Sequence, residues 1–334
     1  MLSSVYYPKI SIVTPSFNHG QYIEDTILSV LNQNYPNLEY IIIDGGSTDN
    51  TVSIIKKYQK YITYWISEPD RGQTHAINKG FEKCTGDVFN WLNSDDYLEP
   101  GALNYIGSVF SNPTIDVLAA RERRVDEKGN FLNISEGTSI YKDLSDTIGR
   151  CHLDQASTYF KKDKLDHIFP LSEDLHYLMD AYMWMKYLLL HGQDNILQNE
   201  VVIVNFRMHS DSKTVAQRKK FVVDKNTIEN SLLKNLNPHC EVLSELYLRS
   251  VKDNFYSEWD IRQTIHPHKI FSHFLLHSIQ HLYVEEKYDV VKKALRYIWV
   301  HNYDLFRRNN LFRFLLKVML VKSFPRLKGA FLTK

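Results

Sequence analysis

The run Asn93-Ser94-Asp95-Asp96 sets two carboxylates side by side after an apolar stretch, Val88 to Leu92. Adjacent carboxylates repel unless a cation lies between them. An oxygen-rich site of this kind suits Mg²⁺ or Mn²⁺ held together with phosphate oxygens. The same residues also read as a cap, with Asp96 preceding a helix near Pro100. Arg71, between Pro69 and Gly72 in EPDRGQ, carries a planar fork of donors that suits a diphosphate. Taken alone it reads first as a solvated loop charge. Asp44 closes a strand of isoleucines, where an acceptor could take the imide N–H of uracil or thymine. The Gly45-Gly46 that follows equally supports a turn residue bonding its own backbone. Asn78 and Lys79, in AINKG, could reach a ribose or a phosphate, or lie on an ordinary helix surface.

These residues need elements to bring them together. Lys9 to Thr14 is short, β-branched and closed by Pro15, which predicts a buried strand. Tyr22 to Leu31 places Ile23, Ile27, Val30 and Leu31 on one helical face. Further strands are predicted over 38–43, 62–66 and 87–92. Helices are predicted over 48–58, capped by Ser47 or Thr48, over 74–83 and from Pro100. Strand–helix alternation of this length implies an α/β fold with a mostly parallel sheet covered on both faces. Such sheets bind ligands at the carboxyl ends of their strands. Thr14-Pro15-Ser16, Asp44 to Ser47, Glu68 to Gly72 and Asn93 to Asp96 all fall at such ends, so four elements deliver polar groups to one rim. Beyond residue 116 the pattern changes. Val117–Arg121 and Arg124–Phe131 read as an antiparallel pair with Gly129 in the turn. A long helix follows over 174–190, then a strand over 201–206, and from about 215 only helices.

Four segments, SIVTPSFN, SVLNQNYPNLEYIIIDGGSTDNT, EPDRGQTHAINKG and GDVFNWLNSDD, stand in this order within residues 9–110. Together they resemble the nucleotide-binding half of family-two inverting glycosyltransferases of bacterial polysaccharide type. The similarity continues more thinly to about residue 212. It implies a GT-A type, Rossmann-like sheet with flanking helices over residues 1–215, the first 110 residues holding a nucleotide-sugar and 111–215 the acceptor. Residues 216–334 follow as a helical C-terminal region. The implied activity is transfer of a sugar from a nucleotide-diphosphate donor, UDP-linked by preference, to a glycan or lipid-linked acceptor in cell-surface polysaccharide synthesis. Thr14, Pro15 and Ser16 would line the base and ribose pocket, Asp44 would read the base, and Arg71 would approach the diphosphate. Asp95 would be the main ligand of Mn²⁺ or Mg²⁺ in a DxD-type motif, with Asp96 supporting it or touching the donor sugar. Asn93 stands where many relatives carry an acid, and His75 departs in the same way and receives no role.

An inverting transfer needs a carboxylate within reach of the acceptor hydroxyl, opposite the leaving diphosphate. LHYLMDAYMW resembles the family's base-bearing stretch, and Asp180 matches its acidic position. Leu178, Met179, Ala181, Met183 and Trp184 surround Asp180, a setting that predicts partial burial. Glu173 and Asp174 are the alternative bases, and Tyr182 stands where many relatives have a second Asp. Phe206-Arg207-Met208-His209 resembles a segment that closes over the diphosphate, so His209 is a metal ligand, a phosphate contact or a structural residue. Gln155 could face the acceptor. A non-catalytic nucleotide-sugar-binding or partner-binding homologue is the competing reading, kept open by Asn93, His75 and Tyr182.

Composition narrows the partners. Net charge is +1, so no global field points to nucleic acid. Cys84, Cys151 and Cys240 are few, odd in number and far apart, which argues against a disulfide framework and for a reducing, cytoplasmic setting. The N-terminus lacks a basic start followed by an apolar core, and no long uncharged apolar run predicts a transmembrane helix. His273, His277 and His281 share one helical face, and read as satisfied side chains because no third ligand accompanies them. From Leu305 to the end no acid occurs, while arginines and lysines interleave with apolar residues. Residues 305–334 could therefore lie on an anionic membrane surface, or dock on their own domain.

Overall fold

The computed structural model describes residues 6–209, 218–236, 252, 255 and 257–323. The chain forms two compact units, one of Met1–Ile140 with His152–Phe221, the other of Tyr141–Cys151 with Val222–Lys334.

The first unit is built on a sheet ordered β3-β2-β1-β4-β8-β6-β9-β5. At its centre β1 (Ile10–Ser16) is buried at every position and β2 (Leu38–Asp44) at all but the first. Continuous burial is what a strand covered on both faces requires. β1 pairs in parallel with β2, from Ile10 opposite Leu38 to Ser16 opposite Asp44. β3 (Tyr64–Ser67) flanks β2 and β4 (Val88–Trp91) flanks β1, also in parallel. The four carboxyl ends therefore open along one edge. The crossovers are α1 (Ile23–Leu31), α2 (Thr51–Tyr58) and α3 (Gln73–Lys83), and Ile23, Ile27 and Val30 of α1 are buried as their spacing predicts. Gly80 lets α3 lie close on β1, since a Cβ there would sit 2.3 Å from Val13 Cγ1.

The remaining strands make the sheet mixed. β5 (Tyr97–Leu98) pairs antiparallel with β9 (Ile196–Met208), which runs parallel to β6 (Val117–Asp126). β8 (Thr158–Lys161) lies antiparallel between β4 and β6. The two short arms expected before and after residue 122 are one continuous strand, β6, turned at Gly129 into β7 (Phe131–Ile134). The charged run Arg121 to Arg124 does not interrupt it, because alternation sends Glu122 and Arg124 to one face and Arg121 and Arg123 to the other. α4 (Ala102–Phe110) covers the sheet. α6 (Met179–His191) begins five residues later than the expected 174. α2 likewise starts at Thr51, because Ser47, expected as its cap, is bonded by Asp44.

The second unit is helical: α5 (Leu144–Arg150), α7 (Arg218–Leu236, from Val222 on), α8 (Pro267–Val284), α9 (Tyr288–His301), α10 (Tyr303–Arg308) and α11 (Leu311–Ser323). The boundary expected near 215 lies outside the described residues. Residues 141–151 join this unit because Asp146 accepts from His273 Nε2 (3.0 Å) and Asn302 Nδ2 (2.9 Å), and Asp143 pairs with Lys269. The three histidines of α8 face separate carboxylates, Asp146, Glu229 and Glu285, and form no common ligand set. Cys84 is a buried free thiol, and Cys240 lies outside the described residues.

Candidate active site

A cavity of about 1020 Å³ opens where the four parallel strands end. That is at the upper end of the ~300–1,000 Å³ usual for small-molecule sites. All its lining residues belong to the sheet-bearing unit.

One wall comes from the strand ends. Pro15 and Ser16 end β1, and Gly45 and Gly46 follow β2. Gly46 holds φ +84°, and a Cβ on Gly45 would meet the Asp70 carboxylate at 2.7 Å. Glycine thus leaves backbone, not side chain, facing the cavity. Ser16 Oγ is buried and finds no partner among the described residues. Beneath this wall lie two of the residues expected to touch the nucleotide. Thr14 is fully buried and bonds the Tyr40 hydroxyl at 3.2 Å. Asp44 is also fully buried, and it does not reach the cavity to read a base. Its carboxylate accepts from Gly46 N (3.2 Å), Ser47 N (2.9 Å), Ser47 Oγ (2.5 Å) and Ser67 Oγ (2.6 Å). Asp44 shapes the Gly45-Gly46 loop that lines the cavity.

Two other expected contacts lie elsewhere. Asn78 is buried, and its amide clamps Leu171 through Nδ2 to the carbonyl and Oδ1 from the N–H, both at 2.8 Å. Lys79 pairs with Glu68. Arg71 is not among the lining residues. Its guanidinium forks onto Glu173, Nε to Oε2 at 2.5 Å and Nη2 to Oε1 at 2.8 Å. One of the two alternative bases is therefore the partner of the residue expected at the diphosphate.

The floor is the end of β4. Asp95 lines the cavity and its Oδ2 lies 3.0 Å from His209 Nε2, on the end of β9. The two residues expected to bind metal thus meet, from elements far apart in sequence. Asp96 turns inward instead. Its Oδ1 accepts from Arg207 N at 2.9 Å and its Oδ2 from Asn93 Nδ2 at 3.3 Å. Burial, and the Asp95 charge beside it, hold its carboxyl well above the ordinary range. It supports the turn and does not touch a donor sugar in the cavity. Arg207 does not close over the cavity. It donates to the Asp95 carbonyl (3.0 Å), the Glu127 carbonyl (3.0 Å) and Asp25 Oδ2 (3.0 Å), between the rings of Tyr22 and Tyr97. That lattice fixes the loop bearing Asp95.

Asp180, in the first turn of α6, lines the cavity and is partly buried, as its apolar neighbours predict. Tyr182 is buried in the same helix. Gln155 also lines the cavity, its Nε2 bonded to Asn90 Oδ1 and the Trp91 carbonyl, each at 2.8 Å.

Sequence reasoning missed Glu122, Arg124, His152 and Asp154, which form the opposite wall. Glu122 is pushed up to about 7, by burial first and the Asp154 charge second, with Arg124 opposing. The signal was the alternation along β6, obscured when that strand was read as two.

Among the described residues no three His, Cys, Asp or Glu side chains cluster to hold a metal. The protein offers the pair Asp95 and His209, a mixed oxygen–nitrogen set that Mn²⁺ accepts when phosphate oxygens and water complete it.

Comparison with known proteins agrees with this geometry. Residues 11–169 match the family described as Glycosyl transferase family 2. Over 324 residues the chain is 25% identical to an uncharacterized glycosyltransferase of Rickettsia typhi, covering 90% of this chain and 98% of that one. The fold is similar to S. aureus TarS in complex with UDP-GlcNAc, with a TM-score of 0.60 at 17% identity, covering 88% of this chain and 81% of that one. It is also similar to the mannosyltransferase PcManGT from Pyrobaculum calidifontis in complex with GDP-Man and Mn²⁺, with a TM-score of 0.54 at 14% identity, covering 96% and 88%. A GT-A-like α/β sheet ending in a cavity, and a family match that spans the strands beneath it, lead to one assignment: residues 11–169 are a family-two glycosyltransferase region.

Proposed function

We propose that the protein is an inverting, metal-dependent transferase that moves a sugar from a nucleotide-diphosphate donor to a hydroxyl of a glycan or lipid-linked acceptor. The observation that carries this reading is that Asp95, held against the buried His209, and Asp180 line one cavity. Asp95 and His209 would hold Mn²⁺ or Mg²⁺, whose chemistry is to stabilise the negative charge of the departing diphosphate. Asp180 accepts the proton of the acceptor hydroxyl as its oxygen bonds to the anomeric carbon and the bond to the diphosphate oxygen breaks on the opposite face. Gly45, Gly46 and Ser16 offer backbone and a hydroxyl to the nucleotide. A UDP-linked donor is favoured by the likeness to TarS, and no longer by Asp44, whose carboxylate is spent on its own turn.

The last helix supports a membrane-side setting. Phe312, Leu316, Met319 and Leu320 of α11 form one stripe, 44–59% exposed, beside Arg313 and Lys317. Among the described residues no helix is long and apolar enough to cross a membrane. The stripe and its cations suit peripheral contact with an anionic, cytoplasmic leaflet. Flotation of the whole protein with anionic vesicles, and none with zwitterionic ones, is the expected result.

The test of function is donor binding and turnover with UDP-, dTDP- and GDP-sugars, with and without Mn²⁺. Asp95→Ala should abolish metal-dependent binding. Asp180→Asn should keep binding and lower kcat by about 10²–10⁴. Binding indifferent to metal and to both substitutions would leave a non-catalytic binding protein.

A further inference from the structure

The wall opposite the nucleotide side is short of hydrogen-bond donors. The Asp154 side chain is only 4% exposed and lines the cavity. Its Oδ2 is buried with no donor among the described residues, and its Oδ1 lies 3.7 Å from His152 Nε2, beyond hydrogen-bond distance. Glu122, 6% exposed, receives one long contact, from Arg124 Nε at 3.3 Å. Burial and the neighbouring Asp154 raise its carboxyl to about 7, so the pair is held together against its own repulsion. An unmet buried acceptor is destabilising, and a charged one more so. A wall with this deficit fits a ligand that brings donors.

The backbone shows the position is fixed. Asp154 N donates to Thr138 Oγ1 at 3.0 Å, and its carbonyl accepts from Thr158 Oγ1 at 2.8 Å. The next residue, Gln155, is bonded to Asn90 and Trp91 of β4, the strand that leads directly into Asp95. Asp154 is therefore anchored to the element that leads into Asp95. Hydroxyl-to-carboxylate hydrogen bonds are short and strong, which suits buried carboxylates to a ligand rich in hydroxyls.

We propose that Asp154, with Glu122 beside it, is the subsite that binds the ring hydroxyls of the donor sugar. This rests on the nucleotide-sugar reading above. The experiment is calorimetric binding of UDP against UDP-glucose, UDP-galactose and UDP-GlcNAc, and of GDP against GDP-mannose, with Mn²⁺, for wild type, Asp154→Asn and Asp154→Ala. The expected result is a sugar-nucleotide affinity at least tenfold lower in Asp154→Ala, intermediate in Asp154→Asn, with the bare nucleotide unchanged in both. Thermal melting should show both variants folded, with no loss of Tm. Equal weakening of nucleotide and sugar-nucleotide, or no weakening of either, overturns the subsite while leaving the transferase reading intact. So does a wild type that binds no sugar-nucleotide more tightly than its nucleotide. A wild type that binds no nucleotide at all overturns the transferase reading, and the subsite with it.

Discussion

The two walls of the cavity are built on opposite principles. On the strand-end wall the buried polar side chains, Ser16 excepted, are answered by the protein itself. Asp44 takes four donors from its own loop and from Ser67, and Thr14 and Asn78 spend their side chains on Tyr40 and Leu171. On the wall formed by β6 and residues 152–156, Glu122 and Asp154 are buried with fewer donors than they can accept. The first wall is a finished scaffold that presents backbone. The second keeps its carboxylates for something else. Removing a carboxylate should therefore do opposite things on the two sides.

The largest effect is expected at Asp44. Asp44→Ala strips the partner from two backbone N–H groups and two hydroxyls at once, and unties the end of β2 from the end of β3. Leaving buried donors unpaired in this way costs on the order of 2–4 kcal/mol. Chemical denaturation should show that loss, and nucleotide affinity should fall with it because Gly45 and Gly46 lose their support. If Asp44→Ala keeps full stability while losing nucleotide affinity alone, Asp44 touches the ligand after all and the contrast between the walls is wrong.

Glu122 gives the converse test through pH. Its carboxyl sits near 7 in the folded chain against an ordinary 4.5, raised by burial and by Asp154, with Arg124 opposing. Asp96 also senses the Glu122 charge. Between about pH 4.5 and 7 the folded state keeps a proton the unfolded state has released, so stability falls as pH rises through that window. Above about 7 both states are ionised and the cost is fully present. Glu122→Gln removes it. The variant should match wild type near pH 4.5 and exceed it by roughly 3.5 kcal/mol at pH 8, at about 1.4 kcal/mol per pKa unit. A difference that does not change with pH would mean that folding does not shift the Glu122 carboxyl.

The contrast also explains what was legible in the sequence. The strand-end wall announces itself because parallel strands buried on both faces read as unbroken apolar runs, with the site's residues stacked just beyond each. Asp95 and the rim were visible for that reason, and His209 and Asp180 through the family's motifs. What the letters did not carry was direction. Asp44 and Asp96 at the strand ends, and Asn78 on α3, are the right residue types, yet they turn into the protein, because each finds a backbone partner a few ångströms away. The opposite wall stayed hidden for a different reason. Arg121-Glu122-Arg123-Arg124 reads as a solvated charge run until strand pairing with β9 and β8 sets which alternate residues face inward. That pairing joins residues up to 82 positions apart, and no local pattern encodes it.

The smallest effect on stability is expected at Arg71, and it bears on which residue is the base. The guanidinium is 67% exposed and paired with Glu173, so the bridge contributes little and is weakened further by salt. Arg71→Ala should leave Tm nearly unchanged. If Arg71 swings to the donor diphosphate, it must first release Glu173. Glu173→Gln would then free it, lowering KM for the sugar-nucleotide several-fold while kcat holds, and Arg71→Ala would raise KM by a similar factor, most clearly at low ionic strength. A collapse of kcat in Glu173→Gln, with Asp180→Asn active, would instead move the base from α6 to the loop before it and leave Arg71 as the residue that holds that base in place.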